Sequence, residues 1–168
     1  VGGVYAVGAE GENKGKLLWK SSAWNHDVVA PSALCMPDGK IFLTAGYGAG
    51  GMMLQLSRSE GFNIDVLSEF KAKEGLSSAQ QTALYFEDHL FAILPKDGGA
   101  NRTQLICVHP DNVSEVVWSS GKDNKYGYGP YMIADGKLFL LNDDGTLIII
   151  KASSKSFQIL DEAKILDG

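Results

Sequence analysis

Asp38-Gly39-Lys40-Ile41-Phe42-Leu43 decides the fold, because it returns twice. It recurs as Asp88-His89-Leu90-Phe91-Ala92 and as Asp135-Gly136-Lys137-Leu138-Phe139-Leu140. The aromatic stands at 42, 91 and 139, spacings of 49 and 48 residues. Each copy follows a short apolar stretch: Ser32 to Cys35, Thr82 to Tyr85, and Pro130 to Ile133. Each precedes a third, Met53 to Leu56, Leu105 to Val108 and Leu147 to Ile150. A fourth follows at Ile64 to Leu67, Glu115 to Trp118 and Phe157 to Leu160. The N-terminus supplies only the last two, at Val4 to Val7 and Lys16 to Trp19.

The stretches are rich in Val, Ile, Leu, Phe and Tyr and bounded by Gly, Asp, Asn and Ser, which is the signature of strands. Helical periodicity is nearly absent; Leu76 to Tyr85 fits the repeat as loop plus strand. Asp-Gly steps at 38, 97, 135 and 144 supply turn residues that tolerate positive φ. Four short-linked strands per repeat make a four-stranded antiparallel blade, and blades repeated at this period make an all-β propeller. One such sheet leaves two apolar faces, which only stacking against neighbouring blades removes from water. Inner strands are expected to be continuously apolar. Outer strands tolerate charge, as at Ser68-Glu69 and Asp161-Glu162. The division is 1–23 half blade, 24–72 blade, 73–121 blade and 122–168 blade.

Composition narrows the function. The net charge is −5, from 20 acidic and 15 basic residues, which argues against a broad basic face for nucleic acid. The longest aliphatic run, Leu147 to Ile150, is far short of the ~20 residues of a membrane span. The two cysteines, Cys35 and Cys107, form no CxxC pair and sit in apolar strand patterns, so both are expected to be buried free thiols. His26, His89 and His109 are scattered, so no metal site is expected. Asn142-Asp143-Asp144-Gly145 reads as a tight turn rather than a calcium loop, since flanking helices and further acidic ligands are missing. Asn101-Arg102-Thr103 and Asn112-Val113-Ser114 are glycosylation sequons, relevant only in a eukaryotic secretory host.

Tyr5-Ala6-Val7 followed by Gly15-Lys16-Leu17-Leu18-Trp19 resembles the repeat of the PQQ-like, or quinoprotein-alcohol-dehydrogenase-like, propeller family. Asp135-Gly136-Lys137-Leu138-Phe139 and Asp144-Gly145-Thr146-Leu147 resemble its strand-entry turns, and Val117-Trp118 its closing tryptophan. Leu67 (or Phe70) and Leu160 stand at that tryptophan's place in two units. The resemblance spans essentially the whole chain. It implies a propeller and export to the periplasm or the extracellular space of a bacterium. The family holds PQQ-dependent dehydrogenases, an outer-membrane-protein assembly lipoprotein and exported proteins without known activity. Its enzymes place a disulfide of adjacent cysteines over the quinone, with acidic and amide ligands to calcium and an aspartate base. Cys35 and Cys107 are 72 residues apart, so the resemblance carries fold and export rather than catalysis, and no cofactor is expected.

In a propeller, the outer-to-inner connections and the loops between second and third strands share one face around the axis. By that analogy the ligand-face candidates are Trp24, His26, Asp27, Tyr47, Gln80, Lys96, Arg102, Tyr126 and Tyr128. His26 beside Asp27 reads as a general base or polar-ligand group, or else as a loop histidine with Trp24 packed on a blade edge. Lys96 and Arg102 read as an anion site or as solvated charges. Tyr126 and Tyr128 read as a stacking platform for a sugar or base, or as packing between loops. Gly46-Tyr47-Gly48-Ala49-Gly50-Gly51 lacks the ending of a phosphate loop and is expected to be a wide, flexible hairpin.

The expectation is a non-catalytic scaffold that offers its loop face to a protein or small polar ligand. The alternative is part of a quinoprotein-like oxidoreductase or other propeller enzyme with a polar loop-face site. At about 48 residues per blade the chain holds about 3.5 blades, short of a closed ring of this family. Its open edges would take further blades, as in a ring of about 7–8, or a second copy.

Overall fold

The computed structural model describes residues 2–59 and 61–167. The chain begins with a two-stranded sheet, β1 (Val4–Val7) and β2 (Leu17–Ser21). Three four-stranded sheets follow. The first is β3 (Leu34–Cys35), β4 (Lys40–Ala45), β5 (Gly50–Arg58) and β6 (Phe62–Phe70). The second is β7 (Leu84–Phe86), β8 (His89–Ile93), β9 (Leu105–His109) and β10 (Asn112–Ser119). The third is β11 (Tyr131–Ala134), β12 (Lys137–Leu141), β13 (Thr146–Lys151) and β14 (Ile159–Lys164). Every pairing within a sheet is antiparallel and joins sequence neighbours. These are β-propeller blades. The described helical turns are two short 3-10 segments, Gly11–Asn13 and Gly99–Asn101.

The registers align the repeated aromatic. Phe42 pairs with Leu34 and Met53, Phe91 with Leu84 and Cys107, and Phe139 with Met132 and Ile149. Side chains alternate across a strand, so the middle strands of the first two full blades each feed two interblade cores, and those of the third feed one. Ile41, Leu43, Met52 and Leu54 face the first half sheet, with Trp19 and Val4 packed on them. Phe42 and Met53 face the other way and meet Leu90, Ala92, Ile106 and Val108 of the second blade. Phe91, Ile93, Leu105 and Cys107 continue the pattern against Leu138, Leu140, Ile148 and Ile150 of the third. Trp118 lies between Phe91 and Phe157, at centroid distances of 5.8 and 5.9 Å. Its indole N–H donates to the Ser153 carbonyl at 2.9 Å, which ties β10 to the next blade.

Each connector between blades also drops a large side chain into these cores. Trp24 joins the first core, Leu76 the second and Tyr126 the third. The far face of the third blade has no such cover among the described residues. Met132, Phe139, Leu141 and Leu147 line a shallow apolar groove there.

Three expectations need correction. The inner strands are not the continuously apolar ones: β3 is two residues long and half-exposed, while β4 is buried from Ile41 to Ala45. A middle strand has a paired neighbour on each side and at least one face packed on the adjacent sheet, whereas an inner strand has one open edge. Cys35, on β3, is therefore exposed, and only Cys107 is buried; both are free thiols. Finally, Gly46 to Ala49 is a tight turn, closed by the Ala49 N–H on the Gly46 carbonyl at 3.2 Å. Gly50 starts β5 at φ 79° against the Phe70 carbonyl, where an added Cβ would lie 2.0 Å from that oxygen. The glycines there serve close packing rather than flexibility.

Candidate functional site

The β6–β7 connector is pinned to the first full blade by a buried hydroxyl. Thr44 Oγ1 donates to the Gly50 carbonyl at 2.8 Å and accepts from the Ser78 N–H at 2.8 Å. Thr44 and Ser78 are buried, so neither backbone group is left without a partner. This sets Ala79 and Gln80 beside the 46–49 turn. An added Cβ on Gly46 would come within 2.9 Å of the Ala79 side chain, so the two segments touch. Tyr47, at φ 57° in that turn, stands 87% exposed above the connector.

The next wall comes from the β8–β9 connection. Its Pro95, Lys96 and Asp97 meet Tyr47, Gln80 and Tyr128 around a groove of about 260 Å³. Lys96 Nζ lies 5.8 Å from the centroid of the Tyr128 ring, within cation–π reach. Tyr128 belongs to the β10–β11 connector and is held by the β12–β13 turn. Asp143 Oδ1 accepts from the Tyr128 N–H at 2.9 Å, and Asn142 Oδ1 from the Gly127 N–H at 3.0 Å. Gln81 Nε2 donates to the Tyr128 carbonyl at 3.4 Å from the other side. Gly127 and Gly129 permit this approach: a Cβ on Gly129 would lie 1.6 Å from the Leu141 carbonyl oxygen.

The groove adjoins an inner cavity of about 70 Å³ between the second and third full blades. Gln80, Lys96 and Tyr128 line both spaces. Tyr126 and Tyr131 line the inner one and are 5% and 8% exposed. Their hydroxyls have no hydrogen-bond partner among the described residues. Burial pushes the Tyr131 phenol up to about 12; Ser78 and the Ile93 backbone pull it the other way without reaching hydrogen-bond geometry. Burial also lifts Tyr126 to about 12, with the charge of Glu162 adding to the effect.

Five of the sequence candidates therefore converge: Tyr47, Gln80, Lys96, Tyr126 and Tyr128. Four lie elsewhere. Trp24 is 4% exposed and packs in the first interblade core, with the His26 ring edge-on to it at 4.2 Å. Among the described residues no hydrogen bond joins His26 to Asp27, which is exposed. Arg102 is exposed and lines neither space. Sequence reasoning passed over Thr44 and Tyr131; Gln81 and Asp97 fell within the loops assigned to the ligand face but were not among its candidates. Asp143 was read as part of a tight turn on the ligand face but not as a candidate, and its clamp on Tyr128 depends on a contact between blades.

The residues do not fit the disulfide-over-quinone site that the family resemblance carries for its enzymes. Cys35 and Cys107 lie in different blades, one exposed and one buried. Among the described residues no group of three His, Cys, Asp or Glu side chains could hold a metal ion. No described helix is long and apolar enough to cross a membrane.

The sheets themselves define the class of protein, an all-β chain of propeller blades. No family model matches the chain, and no curated protein matches it. Among solved structures it is similar to the crystal structure of BamB from Moraxella catarrhalis, at 10% identity and a TM-score of 0.45. The match covers 91% of this chain and 56% of that one, so the chain spans little more than half of that structure's length.

Proposed function

We propose that the chain is a non-catalytic binding scaffold of an exported bacterial protein, presenting the loop face of its blades to a small polar ligand or protein partner. The observation that carries this reading is the preformed groove where the connectors and strand-pair loops of three blades meet around Tyr47, Gln80, Lys96 and Tyr128. Its chemistry is that of recognition: phenol rings, amides, one ammonium and carboxylates. Export rests on the family resemblance of the repeats, as does the assignment to the PQQ-like repeats themselves. The reading includes no quinone or calcium.

The test is a thermal-shift screen of small polar compounds and peptides, with each hit mapped by amide chemical shifts. Perturbations are expected at 46–49, 78–81, 95–104, 126–128 and 142–144. The turns at the other end of the strands, around Gly39, Asp88 and Gly136, are expected to stay unmoved. A tight stoichiometric complex with PQQ and calcium, followed by dye-linked alcohol oxidation, would instead establish the oxidoreductase reading.

A further inference from the structure

We propose that the loop-face groove takes a neutral saccharide, with Tyr47 and Tyr128 as stacking surfaces. The inference rests on the binding-scaffold reading and names its ligand class.

Shape and chemistry point the same way. A groove of about 260 Å³ suits one or two sugar rings rather than a protein segment lying flat. A pyranose has two kinds of surface, a C–H face that packs on an aromatic ring and an equator of hydroxyls that needs donors and acceptors. The groove offers both. Tyr47 and Tyr128 are 87% and 38% exposed, whereas the neighbouring Tyr126 and Tyr131 are buried. Exposed aromatic rings beside polar groups give contact area at low entropic cost. Gln80 supplies an amide that donates and accepts, Asp97 an acceptor and Lys96 a donor at the same rim.

Charge favours a neutral ligand. One ammonium, Lys96, stands against the carboxylates Asp97 and Asp143 across the two spaces. That balance gives a polyanion no advantage. The Tyr128 platform is also built in advance: its backbone is held by Asp143 at 2.9 Å and by Gln81 at 3.4 Å. A ligand then meets an ordered surface and loses less affinity to loop ordering. Deeper in, the hydroxyls of Tyr126 and Tyr131 lack partners among the described residues. A hydroxymethyl group entering the inner cavity is the kind of partner they lack.

The experiment is calorimetric titration of the chain with cellohexaose, laminarihexaose, maltohexaose, xylohexaose and chitohexaose. A phage-displayed dodecapeptide library is panned in parallel on the wild type and on Tyr47→Ala. At least one oligosaccharide is expected to saturate with a Kd of about 1 mM or tighter. Tyr47→Ala and Tyr128→Ala are each expected to weaken it by about tenfold or more. His26→Ala, outside the groove, is expected to leave it unchanged. Tyr47 is exposed enough that its loss leaves the fold intact. If no oligosaccharide saturates, or if affinity survives both tyrosine substitutions, the saccharide assignment is overturned. Peptides that depend on Tyr47 would in that case retain the loop-face scaffold with a different ligand class. If neither saccharide nor peptide binds at the loops, the saccharide assignment falls, and the scaffold reading falls with it when the thermal-shift screen of small polar compounds also finds no ligand at that face.

Discussion

Glu87 and Asp88 carry the turn between β7 and β8, at φ 47° and 58°. Both lie in the left-handed region, which costs an ordinary L-residue roughly 1–2 kcal/mol. The repeat explains the strain. Aligned on the aromatic, Asp88 stands where the other full blades carry Gly39 and Gly136, both at positive φ. Asp88 is partly compensated, because the Tyr85 hydroxyl donates to it at 2.6 Å. Glu87 is exposed. Glu87→Asn is therefore expected to raise stability by about 0.5–1 kcal/mol, read from urea unfolding. Gly129→Ala acts in the opposite sense. Its Cβ would lie 1.6 Å from backbone, so the 126–129 loop must move away from β12. A loss of about 1–3 kcal/mol is expected, together with displaced amide resonances at Tyr128. The turn glycines were legible from the Asp-Gly steps. The role of Gly129 was not, because its crowding comes from Leu141, in a different strand.

The middle strands were the most legible elements, and the inner ones the least. Phe42, Phe91 and Phe139 mark the same register in each blade, yet their surroundings differ. Phe42 and Phe91 are each 1% exposed beneath a following blade, while Phe139 looks onto the uncovered apolar groove. Phe91→Ala is expected to cost about 3–5 kcal/mol and Phe139→Ala well under half of that. Equal losses by denaturant titration would contradict this account of stacking. The inner strands were overextended in sequence reading because periodicity reports apolar residues, not which edge of a sheet is paired. Lys40, at the start of β4, joins two blades: it contacts Asp38 in its own turn and Asp111 of the next blade at 3.0 Å. The hydrogen bond from Lys40 holds the Asp38 carboxyl below its ordinary value of 3.8. A depressed carboxyl stabilises the fold above that ordinary value and loses its effect as pH falls through the folded value. Because Asp38 is half-exposed, the contribution is expected to stay below about 1 kcal/mol. The stability gap between wild type and Lys40→Met, measured by thermal melting, is expected to shrink on moving from about pH 6 to about pH 2.

At the scale of the whole molecule, stability passes from blade to blade. Each core is shared by two adjacent sheets, so nearest neighbours govern protection, as in other repeat proteins. Amide exchange is expected to be slowest in β8 and β9, which have a blade on both faces, and fastest in β1 and β2. Uniform protection across the sheets would show a single cooperative unit instead. The repeat made this stack of blades readable, and the shared loop face followed from its topology. The grouping inside that face did not. Trp24, His26 and Asp27 form the richest local sequence, yet Trp24 is spent on packing. The groove draws instead on isolated residues such as Gln80 and Lys96, which have no local signature.

The two thiols make the molecule its own clock. Cys35 lies open on a short strand, while Cys107 is sealed between the second and third full blades with its thiol pushed up to about 12. Reaction with a disulfide reagent needs a thiolate in contact with solvent. One equivalent should therefore be consumed at once and the second only at the rate at which those two blades part. Saccharide held across that seam should slow the second phase and leave the first untouched, so occupancy could be timed without a chromophore on the ligand.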